Sequence, residues 1–260
     1  SVGQHCVDCV AAAERSTPQA RTIAGAPVRS DRPSPIVTYV LIALNVLVFG
    51  ITAAQSGSVM ANEQGSALFL DWALWPPLIA AGGEYIRIIG SGFLHFGLLH
   101  LAVNMFALWV IGRDTELVLG RARYLSVYLV SILGGSAAVM FMETGAVTAG
   151  ASGAVFGLLG AQAVILLRLR RSPAPVLTIV GLNVIISITI PGISLWGHLG
   201  GLVAGAAATA ALLYAPQYLG AGTDRDRIVR TGWTALVAVV VVTLLAIVLA
   251  VVRLRDQLGV

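Results

Sequence analysis

Residues 172–223 read SPAPVLTIVGLNVIISITIPGISLWGHLGGLVAGAAATAALLYAPQYLGAGT and contain no charged side chain. A membrane-spanning helix needs about 20 predominantly apolar residues, so this run is long enough for two spans. Pro191 and Gly192 interrupt the run near its middle, and both residue types break helices. The stretch therefore predicts two membrane helices joined by a very short turn at Pro191 and Gly192.

The composition of the whole chain agrees with a lipid environment. Hydrophobic residues make up 57% of the 260 residues and charged residues only 11%, whereas about a quarter of the residues in a soluble domain are charged. The long apolar runs lack the alternation of apolar and polar residues that the strands of a membrane β-barrel show. All 16 basic residues are arginine and they cluster in a few loops, which excludes a basic face for nucleic acid.

Hydrophobic segments predict an all-α polytopic membrane protein with a six-helix core and one C-terminal transmembrane helix. The seven predicted spans are 36–54, 93–112, 124–142, 149–167, 175–190, 195–214 and 231–252. The predicted organisation is a tail at 1–35, a six-span core at 36–215, a cytoplasmic loop at 216–230, and a seventh helix with a short tail at 231–260.

Arginine placement predicts the orientation in the membrane. Arginines concentrate in the N-terminal tail and in the connections after the second, fourth and sixth spans, and such residues favour the cytoplasmic side. We therefore expect a multi-pass protein of the cell membrane with a cytoplasmic N-terminus. The connection 55–92 then lies outside, where Trp72, Trp75 and the Pro76-Pro77 break favour an amphipathic loop at the interface.

The N-terminal tail contains the only two cysteines, Cys6 and Cys9, preceded by His5. A structural zinc site needs four ligands, so this motif supplies half of one at most. We expect no metal and no cofactor on this chain. The end of a zinc-binding module that starts upstream is the alternative interpretation of the motif.

Polar side chains inside apolar spans are costly to bury and are therefore functional candidates. His95, His100 and Asn104 lie in the second predicted span. The four-residue spacing places His100 and Asn104 on one helix face, about one turn apart. The alternative is that the pair only forms hydrogen bonds to neighbouring helices.

A serine and a third histidine lie in later spans. Ser152 lies in the sequence TAGASGAVFG, residues 148–157, and His198 begins the sixth span. Span four runs from outside to inside and span six starts outside, so Ser152 and His198 reach similar depths on one side. Small residues allow close helix contact, which a Ser-His hydrogen bond of about 3 Å requires. These small residues are Gly153, Gly157 and Gly160 in span four, and Gly201 and Gly205 in span six. A lone serine here would instead indicate helix packing.

The motifs and their order along the chain resemble those of the rhomboid family of intramembrane serine proteases, over about residues 36–215. The resemblance rests on Gly150-x-Ser152-Gly153, on Gly197-His198-x-x-Gly201-x-x-x-Gly205, on His95 with His100-x-x-x-Asn104, on Arg87, and on Glu116 with Gly120. Phe156 departs from the family's usual tyrosine but keeps the aromatic ring that stacks against the histidine. The first-loop motif also departs, since Ile86 stands where the family commonly has tryptophan.

The resemblance implies a catalytic dyad in which Ser152 is the nucleophile and His198 is the base. It assigns the oxyanion hole to the backbone N–H of Ser152 and to the side chains of His100 and Asn104. It implies supporting roles for Gly150, Gly153, His95, Phe156, Gly201 and Gly205, and we interpret Arg87 and Glu116 as structural. The implied partners are the lipid bilayer and membrane proteins cleaved in or near a transmembrane segment, close to the extracytoplasmic side.

Two other classes of function are open at this point. A rhomboid-like protein without protease activity would bind transmembrane segments, but such proteins usually lack a dyad residue, and this sequence retains both. A small transporter with an inverted repeat would show paired broken helices in its two halves, and no such pairing is visible.

Overall fold

The computed structural model describes residues 21–25 and 34–260. This part of the chain is built of helices joined by short connections, which confirms the all-α prediction. The helices are α1 (Ile36–Ser56), α2 (Ala67–Trp72), α3 (Pro76–Gly82), α4 (Arg87–Gly90), α5 (Gly97–Ala107), α6 (Arg113–Leu119), α7 (Arg121–Met142), α8 (Ser152–Arg168), α9 (Ala174–Thr189), α10 (Leu195–Tyr218) and α11 (Arg225–Leu258). A 3₁₀ turn, Ser91–Phe93, follows α4, and a π-helical stretch, Leu108–Gly112, joins α5 to α6.

The apolar helices correspond to the predicted spans. Within the described ranges, four helices are long and apolar enough to cross a membrane, namely α1, α7, α10 and α11. The segments Arg87–Phe93 and Gly97–Leu119 pass the same test only as a pair, and they are bent by 89° at a short break. Helices α8 and α9 are shorter apolar helices of 17 and 16 residues. The multi-pass prediction is therefore confirmed, as is the break between α9 and α10 at Pro191 and Gly192.

The connection between the last two predicted spans is shorter than the predicted loop at 216–230. Helix α10 continues to Tyr218, and α11 begins at Arg225, so the connection is only 219–224. The Asp224 carboxylate caps α11 by accepting the N–H groups of Asp226 at 2.9 Å and of Arg227 at 3.3 Å. Charged residues thus form the first turns of the helix, which an apolar window cannot detect.

Helix α5 begins at Gly97, four residues after the predicted start of the second span at residue 93, because the chain turns sharply before it. Gly97 has φ of +73°, and a Cβ there would lie 2.9 Å from the carbonyl oxygen of Met60. The buried Asn62 amide holds this turn, since Oδ1 accepts from Gly97 N at 2.7 Å. Its Nδ2 donates to the His95 carbonyl at 2.9 Å and to Thr52 Oγ1 at 2.8 Å. One side chain from the first connection therefore fixes the bend.

The predicted interfacial connection contains the three short helices α2, α3 and α4, and Arg87 ties them together. The guanidinium of Arg87 is buried, and its Nη1 donates to the carbonyl oxygens of Leu70 at 2.5 Å and Ala73 at 2.8 Å. It also forms an ion pair with Glu84. These contacts fit the interpretation of Arg87 as a structural residue.

Glu116 has a comparable structural role at the start of α1. Its buried carboxylate accepts the backbone N–H groups of Val37 at 3.0 Å and Thr38 at 2.8 Å, and the Thr38 hydroxyl at 2.8 Å. The first N–H groups of a helix have no acceptor within the helix, so this carboxylate supplies one. Glu116 thereby fastens α6 to α1.

The centre of the fold is a close contact among α7, α8 and α10. A Cβ added at Gly135 would lie 2.8 Å from the carbonyl oxygen of Gly197, and one added at Gly157 would lie 2.9 Å from that of Gly201. A Cβ at Gly201 would lie 2.7 Å from the carbonyl carbon of Gly153. Only glycine fits between backbones at these separations. The predicted close approach of the two helices that carry Ser152 and His198 is confirmed.

We expect Gly201→Ala to lower the free energy of unfolding by about 1–3 kcal/mol, because the added methyl group overpacks a backbone contact. Gly50→Ala is the matched control, since a Cβ at this α1 position has nothing within 4 Å. Alanine favours helix formation over glycine, so the control should be neutral or slightly stabilising. Thermal unfolding in detergent measures both, and equal melting temperatures for the two variants would contradict the backbone contact.

The seventh span packs on the core and on the interfacial helices. The residues Ile247, Ala250, Val251 and Leu254 of α11 are buried in one cluster with Leu74, Ile79 and Ala80. Arg255 Nε, near the end of α11, also donates to the Ala80 carbonyl at 2.7 Å. Helix α11 therefore supports α3 in addition to crossing the membrane.

Part of the predicted N-terminal tail contacts the core. Thr22 Oγ1 donates to the Val118 carbonyl at 2.7 Å, and the guanidinium of Arg123 donates to the Ala24 carbonyl. The His5, Cys6 and Cys9 motif lies outside the described residues, so the expectation about zinc stays a prediction.

Candidate active site

A cavity of about 810 Å³ opens between α5, α7, α8 and the connection from α9 to α10. Ser152, His100 and His198 line this cavity together. Apolar side chains such as Leu99, Val103 and Ile190 form much of the remaining wall. The structure thus brings these three predicted site residues to one cavity, together with the predicted supporting residues Gly150 and Gly153.

Ser152 is the first residue of α8. The N–H groups in the first turn of a helix have no acceptor within the helix, and they carry the positive end of its dipole. The segment before Ser152 is fixed, because Gly150 N donates to the Ser91 carbonyl at 2.9 Å. Thr148 and Leu74 also exchange two backbone hydrogen bonds of 2.9 Å. A hydrogen-bonded turn therefore presents Ser152 beside N–H groups that have no acceptor within α8.

His198 lies in α10 and is nearly buried, with 7% of its surface exposed. The ring of Phe156, one turn beyond Ser152, stacks on the His198 ring with centroids 4.2 Å apart and planes 8° apart. Phe156, which replaces the family's usual tyrosine, therefore makes the expected ring contact with His198. In the described structure no hydrogen bond joins Ser152 to His198, although both line the cavity. Catalytic hydrogen bonds are often long before substrate binds.

The second histidine of the site, His100, lies against Gly150. A Cβ at Gly150 would lie 3.0 Å from His100 Nε2 and 3.5 Å from Ser152 Oγ, and φ of +140° also favours glycine there. Phe96 N donates to His100 Nδ1 at 3.3 Å. Since a neutral imidazole carries one proton, the proton is then on Nε2. His100 therefore directs an N–H group toward the space beside Ser152.

Asn104 lies in α5, one turn beyond His100. Its amide is buried, and Nδ2 donates to the carbonyl of His100, in its own helix, at 3.0 Å. Asn104 does not line the cavity, unlike His100. One of its two N–H groups is therefore used by α5 itself and not by a neighbouring helix.

His95 lies beneath the site. Its ring is fully buried, and Nε2 accepts from Ala151 N at 3.5 Å. The ring also packs edge-on against His100, with centroids 5.2 Å apart. These contacts hold the turn that precedes Ser152, which fits a supporting position.

Sequence reasoning missed two polar residues near the site. Ser187 of α9 lies 3.0 Å from His198 Nδ1, measured from its Oγ. The sequence pattern could have indicated Ser187, because helical spacing places it on the same face of α9 as Val176 and Val180, and that face is buried. Glu143 accepts from the Ser194 hydroxyl at 2.5 Å and from Trp196 N at 3.4 Å, at the start of α10. A carboxylate in a loop gives no such signal in the sequence.

Comparison with known proteins shows which family this chain resembles. The family model described as the Rhomboid domain matches residues 82–215. The Rhomboid protease GluP of Bacillus subtilis is 37% identical over 183 residues, which are 68% of this chain and 35% of that protein. RHOMBOID-like protein 4 of Arabidopsis thaliana is 34% identical over 54% of this chain and 37% of its own length. Rhomboid-type serine protease 2 of Emericella nidulans is 32% identical over 54% of this chain and 29% of its own length.

The chain spans only about a third of the length of these three relatives. The match to the family model nevertheless covers more than half of the chain, and it includes Ser152, His198, His100 and Asn104. Two of these relatives are named as proteases, which associates protease activity with the family. This chain is a multi-pass membrane protein of the rhomboid family.

Proposed function

We propose that this chain is an intramembrane serine endopeptidase that hydrolyses peptide bonds in or near transmembrane segments of other proteins. The observation that carries the proposal is the cavity that Ser152, His100 and His198 line together. Polar and ionisable groups inside a membrane protein are costly and usually serve function. A serine beside free N–H groups and an imidazole matches the requirements of acyl transfer.

In the proposed reaction, Ser152 Oγ attacks the scissile carbonyl carbon while His198 takes the hydroxyl proton. The C–N bond of the substrate then breaks, and His198 returns the proton to the leaving amine. Water hydrolyses the resulting acyl-enzyme through the same two residues. The rigid ring stack of Phe156 on His198 limits reorientation of the base between these steps.

The negative charge on the substrate oxygen needs hydrogen-bond donors close to Ser152. The backbone N–H of Ser152 and the Nε2–H of His100 supply two of them. Asn104 contributes through the second N–H of its amide, which the His100 carbonyl does not use. Donors of this kind act where charge develops in the transition state.

The substrates we propose are helical membrane segments with glycine, proline or other small residues near the cleavage point. A helix hides its peptide bonds in internal hydrogen bonds, and these residues help it to unwind. Water reaches the site through the open cavity, which lies toward the extracytoplasmic side in the cell-membrane orientation with a cytoplasmic N-terminus. No cofactor takes part.

Purified protein treated with a fluorophosphonate probe is expected to be labelled at Ser152, because the activated hydroxyl attacks the electrophilic phosphorus. Peptide mass spectrometry locates the modified residue. Labelling should disappear in Ser152→Ala and fall to background in His198→Ala. Ser126→Ala is the control, because Ser126 is a half-buried serine that does not line the cavity, and its hydroxyl donates to the Ala122 carbonyl. Labelling at another residue, or labelling that is independent of His198, would contradict the proposal.

A rhomboid-like protein that binds transmembrane segments without cleaving them is the second candidate. The absence of a Ser152–His198 hydrogen bond in the described structure favours this non-proteolytic candidate. In the probe experiment this candidate predicts no labelling of Ser152. It also predicts retention of an intact transmembrane reporter on the immobilised protein.

A further inference from the structure

Ser187 is a buried polar residue that the proposed reaction does not yet use. It lies near the end of α9, and its hydroxyl oxygen is 3.0 Å from His198 Nδ1. Only 8% of its surface is exposed, although α9 presents most of its large apolar side chains outward. This contact is on the nitrogen of His198 that does not accept the proton of the nucleophile in a serine protease arrangement.

The direction of this hydrogen bond follows from the second contact of Ser187. Its Oγ also lies 2.8 Å from the carbonyl oxygen of Asn183. A carbonyl only accepts, and a serine hydroxyl has one proton, so that proton goes to Asn183. The lone pairs of Ser187 Oγ then face His198, and Nδ1–H must be the donor. The opposite direction would leave two oxygen lone pairs facing each other at 2.8 Å.

A single proton on Nδ1 leaves Nε2 of the neutral His198 ring unprotonated. Only an unprotonated ring nitrogen accepts the proton of Ser152, so this tautomer is the one that the proposed reaction needs. Phe156 fixes the plane of the ring, but a stacked ring face does not distinguish the two tautomers. Ser187 does distinguish them.

We propose that Ser187 is a positioning residue that holds His198 in the Nδ1–H tautomer and so keeps Nε2 ready as the base. This inference rests on the proposed protease function. It makes α9 part of the catalytic arrangement, because the hydroxyl that orients the base comes from that helix. Any displacement of α9 away from α10 removes this hydrogen bond.

The expected effect of Ser187→Ala is a decrease in kcat of about tenfold for a transmembrane reporter, the size expected for one lost hydrogen bond to the base. KM should change by less than about twofold, because a group that does not touch substrate leaves ground-state binding intact. Ser187→Thr should restore kcat, since it retains the hydroxyl in the same helical position. Thr178→Ala is the control, because Thr178 is exposed on the same helix and donates only to the Ala174 carbonyl.

The tautomer itself is measured by ¹⁵N NMR of protein labelled at histidine, with the His198 signals assigned from His198→Ala. Wild-type protein and Ser187→Thr should show a protonated Nδ1 and an unprotonated Nε2. Ser187→Ala should show a loss of that preference.

An unchanged kcat in Ser187→Ala would overturn the inference, and so would an unchanged tautomer with a reduced kcat. If wild-type protein neither cleaves the reporter nor reacts with the fluorophosphonate, the proposed function fails. The NMR comparison of wild-type protein, Ser187→Ala and Ser187→Thr then decides the role of Ser187 by itself.

Discussion

Replacing Ser152 or His198 by alanine is expected to lower kcat/KM for cleavage of a transmembrane reporter by about 10⁴-fold or more. In the proposed reaction, Ser152 supplies the electron pair that forms the acyl-enzyme, and His198 removes and returns the proton in both half-reactions. Because the two residues act as one unit, the double variant should be no slower than the slower single variant. Initial rates with purified protein in detergent or liposomes measure all three.

Matched controls separate chemistry from folding in this experiment. Ser126→Ala should retain the wild-type rate, and the melting temperatures of the dyad variants should stay near that of the wild type. Cleavage by Ser152→Ala at the wild-type rate and site would show that another nucleophile acts. A double variant whose loss equals the product of the single losses would show that the two residues act independently.

Replacing His100 by alanine is expected to lower kcat by about 10²–10³-fold, the usual loss for one oxyanion donor. The equivalent change at Asn104 should cost less than about tenfold, because its amide already bonds to its own helix and does not line the cavity. KM should change little in either variant, since the donors act on charge that develops in the transition state.

Phe106→Ala is the control for both variants, because Phe106 lies on the same helix and is 66% exposed. We expect it to keep the wild-type kcat. If Asn104→Ala loses as much activity as His100→Ala, the Asn104 side chain must rotate toward the substrate oxygen during the reaction. The ranking of these two donors would then be wrong.

Much of this molecule is predictable from local sequence patterns. Long apolar runs require helices in lipid, because each buried backbone N–H and C=O group needs an internal partner. The Pro191-Gly192 pair interrupts such a run, and the break follows directly. The glycines at helical spacing in α8 and α10 indicate which helices approach closely, because only small residues allow that contact.

The bend before α5 was not predictable in this way. It depends on Asn62, which reaches the backbone of His95 and Gly97 from a connection more than 30 residues earlier. The start of α11 was missed because its first turns are charged, and the cap at Asp224 decides where the helix begins.

The sequence by itself determined that the chain is a bundle of membrane helices and which serine and histidines to consider, since both depend on residue type and on spacing along one helix. Only the tertiary structure decided how each polar group is used. In the structure, the Asn104 amide is hydrogen-bonded to its own helix, His100 Nδ1 to Phe96 N, and His198 Nδ1 to the Ser187 hydroxyl. Hydrogen bonds of this kind depend on distances of tenths of an ångström between separate elements, and residue order does not encode such distances directly.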